Sequence, residues 1–219
     1  GHIAHKYELA EDELSVTYYI KNNARFSNGD DVKASDVKFS FETLISKDAH
    51  PQYRIYWADV KSTKVLGKKI IKFIFNKKNP ELHMIIGDIP IFSKKWFQGK
   101  KFSNAILDTP IGSGPYIIDE YQTGKYINYK RNPEYWGSNE PTRAGMFNFD
   151  KIIFKYYKDM TVALEAFKAG EYDFIHENHS KRWARDYSGP NFDKNLIIKE
   201  ELHHSNNAGI QGFIFNTRK

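Results

Sequence analysis

The segment Pro110–Gly137 constrains the fold more strongly than any other stretch, because it joins a rigid bend to two β-rich runs. In the bend, Gly114 admits positive φ and Pro115 fixes its own φ. The runs Tyr116–Tyr121 and Tyr126–Lys130 are separated by four residues, a length that suits a hairpin loop. The segment contains no catalytic nucleophile, phosphate-binding loop or metal-ligand cluster. It therefore favours a binding scaffold over an enzyme.

Hydrophobic periodicity in the first half of the chain predicts strands with helices between them. The alternation in Leu14–Lys21 is typical of a half-buried strand, and no element is predicted before it. Ser35 is the predicted N-cap of a helix that ends near Ser46. The runs Val60–Leu66 and Ile70–Phe75 predict a second hairpin.

The second half predicts a strand, a helix and a strand in succession. Ile152–Tyr157 is an apolar strand, and Asp159 caps a helix that ends at Gly170. The run Tyr172–Ile175 is expected to lie parallel to the first strand through a right-handed crossover. Two later strands are predicted at Leu196–Leu202 and Gly212–Asn216. The pattern indicates an α/β (mixed α+β) fold, divided near Thr109–Pro110 into parts at 1–109 and 110–219.

Charge and composition exclude some classes of protein and leave one alternative open. The net charge is +6 and the sequence pI is about 9.2, which would suit an anionic partner such as a nucleic acid. The lysines are scattered along strands and loops, which is more typical of a solvated surface. There is no cysteine, so disulfides and thiol chemistry are excluded. The chain has no stretch of about 18 apolar residues and no signal peptide.

Several separated motifs resemble one family of proteins, the extracellular solute-binding proteins of family 5. Ala24–Ser40 is similar to its signature F-S-D-G-x-P-V-T-A-x-D-V-x-F-S. Pro110–Tyr116 with Tyr135-Trp136 resembles a P-x-G-[ST]-G-P-Y … Y-W block. Gly170–Asp173 is similar to a G-E-x-D block, and Phe213–Asn216 to a G-x-x-F-N strand. Finer similarities point to the Yej-type subgroup, and they lie at His50–Tyr53, Tyr56–Val60, Phe147–Asp150, Val162–Gly170, Glu177-Asn178, Trp183-Ala184 and Lys199–Leu202.

The resemblance implies a fold, a function and partners. The fold would be a partial type II periplasmic-binding-protein fold, with 1–109 as a smaller α/β subdomain and 110–219 as a segment of the hinge-proximal lobe. The function would be the substrate-binding component of an ABC importer for oligopeptides or peptide-like compounds, with two lobes closing on the ligand and no catalysis. The partners would be a peptide ligand and permease subunits in the periplasm. A shortened chain is expected to self-associate.

The resemblance also implies ligand-binding residues. Side chains at the strand end that follows the G-E-x-D block would face the cleft and bind ligand amides, namely His176, Glu177 and Asn178. An ordinary polar loop is the alternative at these positions. Tyr56 and Trp57, with Tyr53 beside them, would line the cleft with amphipathic rings, unless they pack in the core. Asn216 would lie at the crossover between lobes.

The remaining polar clusters give no grounds for a metal, a cofactor or a catalytic site. His176 and His179 are spaced i,i+3, and His203 and His204 are adjacent, but neither pair makes a zinc-protease motif. Neighbouring carboxylates such as Glu200 and Glu201 would point to opposite faces of a strand. A nucleic-acid-binding module, a metal or other-solute receptor of the same family, and a hydrolase are the competing readings.

Overall fold

The structure is a computed structural model, and it describes residues 2–104, 108–203, 205, 212, 213 and 215–217. The chain divides into two compact units, Gly1–Tyr156 and Tyr157–Lys219. Each unit has its own hydrophobic cluster.

A four-stranded antiparallel sheet is the centre of the first unit. Its order is β1-β2-β4-β3, and its strands are β1 (Ala4–Leu9), β2 (Ser15–Ile20), β3 (Val60–Gly67) and β4 (Ile70–Phe75). In β4, Ile71, Phe73 and Phe75 are buried and alternate with partly exposed residues, as expected for a strand with one face in the core. The predicted second hairpin is confirmed. Strand β1 was not predicted from the sequence, and it pairs with β2.

Three helices accompany this sheet: α1 (Ala34–Leu44), α2 (Pro51–Tyr56) and α3 (Leu82–Gly87). Helix α1 packs on β3 and β4, and the rings of Phe41 and Phe73 meet edge to face at 5.8 Å. The predicted N-cap at Ser35 is wrong. The N-cap is Lys33, because the Asp36 carboxylate three positions later accepts its backbone N–H at 2.8 Å.

A second antiparallel sheet of three strands also belongs to the first unit. Its strands, in spatial order, are β5 (Tyr116–Gln122), β6 (Tyr126–Arg131) and β7 (Lys151–Lys155). The hairpin predicted between β5 and β6 is confirmed, with Tyr121 opposite Ile127. Gly124 turns the loop with a φ of 75°. The aromatic block after β6 is anchored where the Trp136 indole N–H donates to the Ser113 carbonyl oxygen at 2.9 Å.

The described residues of the second unit form three helices: α4 (Met160–Lys168), α5 (Ser180–Arg185) and α6 (Pro190–Asp193). Asp159 caps α4, because its carboxylate accepts the N–H groups of Thr161 and Val162 at 2.9 Å each. Gly170 follows the helix with a φ of 80°. Both predicted ends of this helix are therefore confirmed. Its inner face packs against later residues, and the buried members of that cluster are Leu164, Phe167 and Tyr187.

Two predicted strands of the second unit are not formed. Tyr172–Ile175 is in no strand; the Tyr172 hydroxyl donates to the Ala163 carbonyl oxygen at 2.7 Å, and Ile175 packs on the α4 cluster. Leu196–Leu202 is also irregular, with Ile198 78% exposed. A short apolar run becomes a strand only where it can pair with the edge of a sheet, and these two runs pair with no strand in the described part of the chain. The predicted strand Gly212–Asn216 falls partly outside the described residues.

The observed architecture is a mixed α/β fold with two antiparallel sheets, in agreement with the predicted fold class. No helix within the described ranges is long and apolar enough to cross a membrane.

Candidate functional site

Helix α2 is short, and its two ends are fixed locally. Pro51 occupies the first turn, where its missing N–H is no loss, and the imidazole of His50 accepts the Gln52 N–H at 3.3 Å. The guanidinium of Arg54 donates to the Ser46 carbonyl oxygen at 2.7 Å, so the helix is tied back to the loop that precedes it. These contacts hold the aromatic residues at the end of the helix.

The aromatic cluster of α2 consists of Tyr53, Tyr56 and Trp57. Tyr53 and Tyr56 are 39% and 54% exposed, whereas Trp57 is 3% exposed and belongs to the core. The rings of Tyr53 and Trp57 stack at 5.6 Å with an interplanar angle of 16°, and Tyr56 meets the indole edge-on at 5.7 Å. Tyr56 and Trp57, both predicted from the sequence, thus lie together, with one ring on the surface and the other beneath it.

Glu177 is held inside its own segment of the second unit. The Arg182 guanidinium donates to both carboxylate oxygens, at 2.7 and 3.0 Å. The Tyr187 hydroxyl donates at 3.2 Å, and the backbone N–H of His179 donates at 2.7 Å. The Glu177 side chain is only 2% exposed. Its carboxylate is therefore committed to this network and joins the segment before α5 to the helix.

The electrostatics of this network follow from its geometry. The hydrogen bonds from Arg182 are the largest cause that lowers the pKa of Glu177 to about 2, and they outweigh the opposing effect of burial. Burial, followed by the nearby Glu177 charge, raises the pKa of Tyr187 to about 12. Glu177 is therefore ionised and Tyr187 neutral throughout the physiological pH range.

The other predicted contact residues lie at the surface. His176 and Asn178 are exposed on either side of Glu177 in the sequence, and Asn216 is exposed in the short described part near the C-terminus. Within the described ranges, no three His, Cys, Asp or Glu residues gather closely enough to hold a metal ion. His204 lies outside the described residues.

An open groove in the first unit was not predicted from the sequence. Its volume is about 640 Å³, and it is lined by Phe26, Asp30, Asp31, Lys33, Ser35, Asp36, Phe39, Ser93, Lys94, Lys95, Phe97, Gln98 and Gly99. The first seven of these residues lie in the signature motif Ala24–Ser40, so the motif itself was the available signal. Several groove charges are already paired, such as Asp30 with Lys95 at 3.1 Å.

Two buried polar residues of the same motif support the wall of the groove. Asp36 is 6% exposed, and its two carboxylate oxygens accept the backbone N–H groups of Lys33 at 2.8 Å and Lys94 at 3.0 Å. Ser40, fully buried, donates to the Asp36 carbonyl oxygen and accepts the Phe92 N–H, both at 2.7 Å. Helix α1 thereby holds the irregular segment at 92–94 by side chain-to-backbone bonds.

The described residues combine a mixed α/β scaffold, exposed tyrosine rings at the end of α2, a groove in the first unit, and buried carboxylates that bond to the chain's own groups. The sequence model of the bacterial extracellular solute-binding proteins, family 5 Middle, matches residues 1–219, and the chain belongs to this family. The family consists of binding proteins without catalytic activity. The resemblance found from the motifs is therefore confirmed.

Two curated relatives resemble the chain along almost its whole length. It is 34% identical over 217 residues to the protein YejA of Escherichia coli K12, covering 99% of the chain and 36% of the relative. It is 34% identical over 229 residues to the "Probable peptide-binding protein YejA" of Agrobacterium fabrum, covering 100% of the chain and 37% of the relative. The chain thus spans little more than a third of the length of these curated relatives.

The solved structure shows that the fold is shared. The oligopeptide-binding protein AppA of Bacillus subtilis, in complex with a nonapeptide, aligns with a TM-score of 0.66 at 22% identity. The alignment covers 78% of this chain and 34% of AppA.

Proposed function

We propose that the intact protein to which this chain belongs is the substrate-binding component of an ABC importer for oligopeptides or peptide-like compounds. The observation that carries the proposal is the family match over residues 1–219, together with a relative of 34% identity whose name is that of a peptide-binding protein. Binding proceeds without catalysis, by closure of two lobes on the ligand. The protein acts in the periplasm and delivers its ligand to permease subunits.

The chain contributes parts of the binding surface. Residues 1–109 form a smaller subdomain and residues 110–219 a segment of the hinge-proximal lobe. In the first part, the exposed rings of Tyr53 and Tyr56 offer apolar faces with hydroxyl tips, which suit peptide side chains of varied chemistry. In the second part, His176, Asn178 and Asn216 present polar side chains for ligand amides.

Trp57 and Glu177, each within its own unit, support exposed contact residues from beneath the surface. The indole lies under the two tyrosines, and the carboxylate fixes the segment that carries the two exposed polar residues on either side of it. A site that binds peptides of different sequence needs contact residues whose positions are fixed in advance, because ordering them on binding would cost affinity.

Thermal shift of the intact protein with di- to penta-alanine peptides tests the proposal. A ligand that binds the native state at about 100 times its Kd adds about 2.7 kcal/mol of stability, and the midpoint should rise. Tyr53→Ala with Tyr56→Ala should reduce the rise, whereas Tyr156→Ala is a control, because Tyr156 is equally exposed at 56% but lies outside the cluster.

One outcome would contradict the proposed peptide binding. If no peptide raises the midpoint, and single-stranded DNA binds with a steep salt dependence, the protein is a nucleic-acid-binding module instead. The ion pairs that Lys68 and Lys77 make with Asp31 and Asp59 already offset part of the positive charge that such binding would use.

A further inference from the structure

The junction between α2 and β3 is built around one residue, Trp57. Its backbone N–H donates to the Tyr53 carbonyl oxygen at 3.1 Å, and its own carbonyl oxygen accepts the Val60 N–H at 3.0 Å. Its ring contacts Phe41 in the core at a centroid distance of 6.5 Å. The same ring supports Tyr53 and Tyr56, so one side chain joins the core to both exposed tyrosines.

The indole of Trp57 carries an unfavourable feature that packing alone does not explain. Its Nε1 is buried and has no hydrogen-bond partner among the described residues. A buried N–H without an acceptor destabilises the folded state, and a phenylalanine would avoid that cost. The benefit of an indole here therefore lies in its ring area, which is large enough to contact two tyrosines at once.

We propose that Trp57 is a positioning residue that fixes the orientations of Tyr53 and Tyr56 and does not itself touch the ligand. The inference about the two rings stands on the geometry of the first unit. Its relevance to ligand binding rests on the proposed function. A phenyl ring has a smaller area than an indole, so we expect Trp57→Phe to weaken the support of the two tyrosines while it keeps an aromatic ring in the core.

The first test needs no ligand. NMR spectra of the 219-residue chain with ¹³C-labelled tyrosine rings report ring currents from a neighbouring indole, and Tyr53→Phe and Tyr56→Phe assign the signals. In Trp57→Phe, the ring signals of Tyr53 and Tyr56 should move towards those of free tyrosine, while the thermal midpoint stays within about 4 °C of the parent. The stability should change little, because removing the unpartnered N–H stabilises the fold and the smaller ring area destabilises it.

Trp136→Phe is the matched control. The indole N–H of Trp136 has an acceptor, the Ser113 carbonyl oxygen at 2.9 Å, so this variant should lose stability without moving the Tyr53 and Tyr56 signals. Unchanged tyrosine signals in Trp57→Phe, or equal changes in both variants, would overturn the proposal. The midpoint is measured on the same samples, so unfolding is not mistaken for a local change.

The second test uses the intact protein and tri-alanine. Each aromatic contact is worth up to about tenfold in affinity, so Trp57→Phe should weaken binding by no more than Tyr53→Ala with Tyr56→Ala combined. In that double-alanine background, Trp57→Phe should have no further effect. A further loss there would show direct contact with the ligand and refute the positioning role. Absence of any tri-alanine binding would count against the proposed function and leave the NMR result to decide on Trp57.

Discussion

Replacing Asp36 should detach the segment at 92–94 from helix α1. The two carboxylate oxygens of Asp36 accept the N–H groups of Lys33 and Lys94, and Asp36→Ala removes both acceptors. A hydrogen bond to a charged group contributes about 1.5–3 kcal/mol. Lys33 and Lys94 are exposed, so the freed N–H groups regain some water, and the lower end of that range applies to each bond.

The expected loss is therefore about 3 kcal/mol in the free energy of unfolding, or a fall of about 6–12 °C in the thermal midpoint. Asp36→Asn keeps one oxygen for two donors and should lose about half as much. Asp12→Ala is the control, because Asp12 is exposed and accepts a single N–H, that of Leu14 at 3.0 Å. It should stay within about 0.5 kcal/mol of the parent.

Urea unfolding followed by circular dichroism gives the free energies, and hydrogen exchange locates the effect. The Lys94 amide should exchange much faster in Asp36→Ala than in the parent, while amides of the distant β5–β6 hairpin keep their protection. If the free energy of unfolding of Asp36→Ala is within about 0.5 kcal/mol of the parent, or if the Lys94 amide exchanges at the parental rate, the hydrogen bonds to Asp36 (the Asp36 clamp) do not hold the segment at 92–94.

Three further changes have defined outcomes. Gly137→Ala should cost about 1–3 kcal/mol in urea unfolding, because the new Cβ would lie 2.6 Å from the Tyr135 hydroxyl, whereas Gly112→Ala, with nothing nearer than 4.0 Å, should not. The stabilisation from Glu177 is complete above its ordinary pKa of 4.5 and is lost as pH falls towards its folded pKa of about 2, so Glu177→Gln should flatten that limb of an acid titration. Burial raises the pKa of Tyr18 to about 12, so the stability that the neutral phenol contributes is complete below pH 10 and is lost as pH rises to 12. Tyr18→Phe should remove this loss of stability at alkaline pH, measured by circular dichroism.

Elements specified by neighbouring residues could be predicted from the sequence. The β5–β6 hairpin follows from two β-rich runs and a short loop, and helix α4 follows from a capping Asp159 and a terminal Gly170. In each case the deciding contacts lie within a few residues along the chain. The strand β1 was missed because its residues are mostly exposed and show no apolar alternation.

Elements specified by contacts with residues distant in the sequence could not be predicted from the sequence. Tyr172–Ile175 has the composition of a strand, but its apolar side chains pack on α4, and composition does not say which neighbour a run will find. The same limit applies to the site. Three aromatic residues close in sequence gave no sign that Trp57 would be buried beneath the other two. Nor could the sequence show that Arg182, five positions later, would donate hydrogen bonds to the Glu177 carboxylate.

The clamp made by Asp36 and Ser40 has a consequence for how this family is read. Both residues lie in the motif by which the chain was recognised, and both use their polar atoms on backbone groups of the same unit. At these two positions the motif is therefore explained by the stability of the framework, and a match to them carries no information about a ligand.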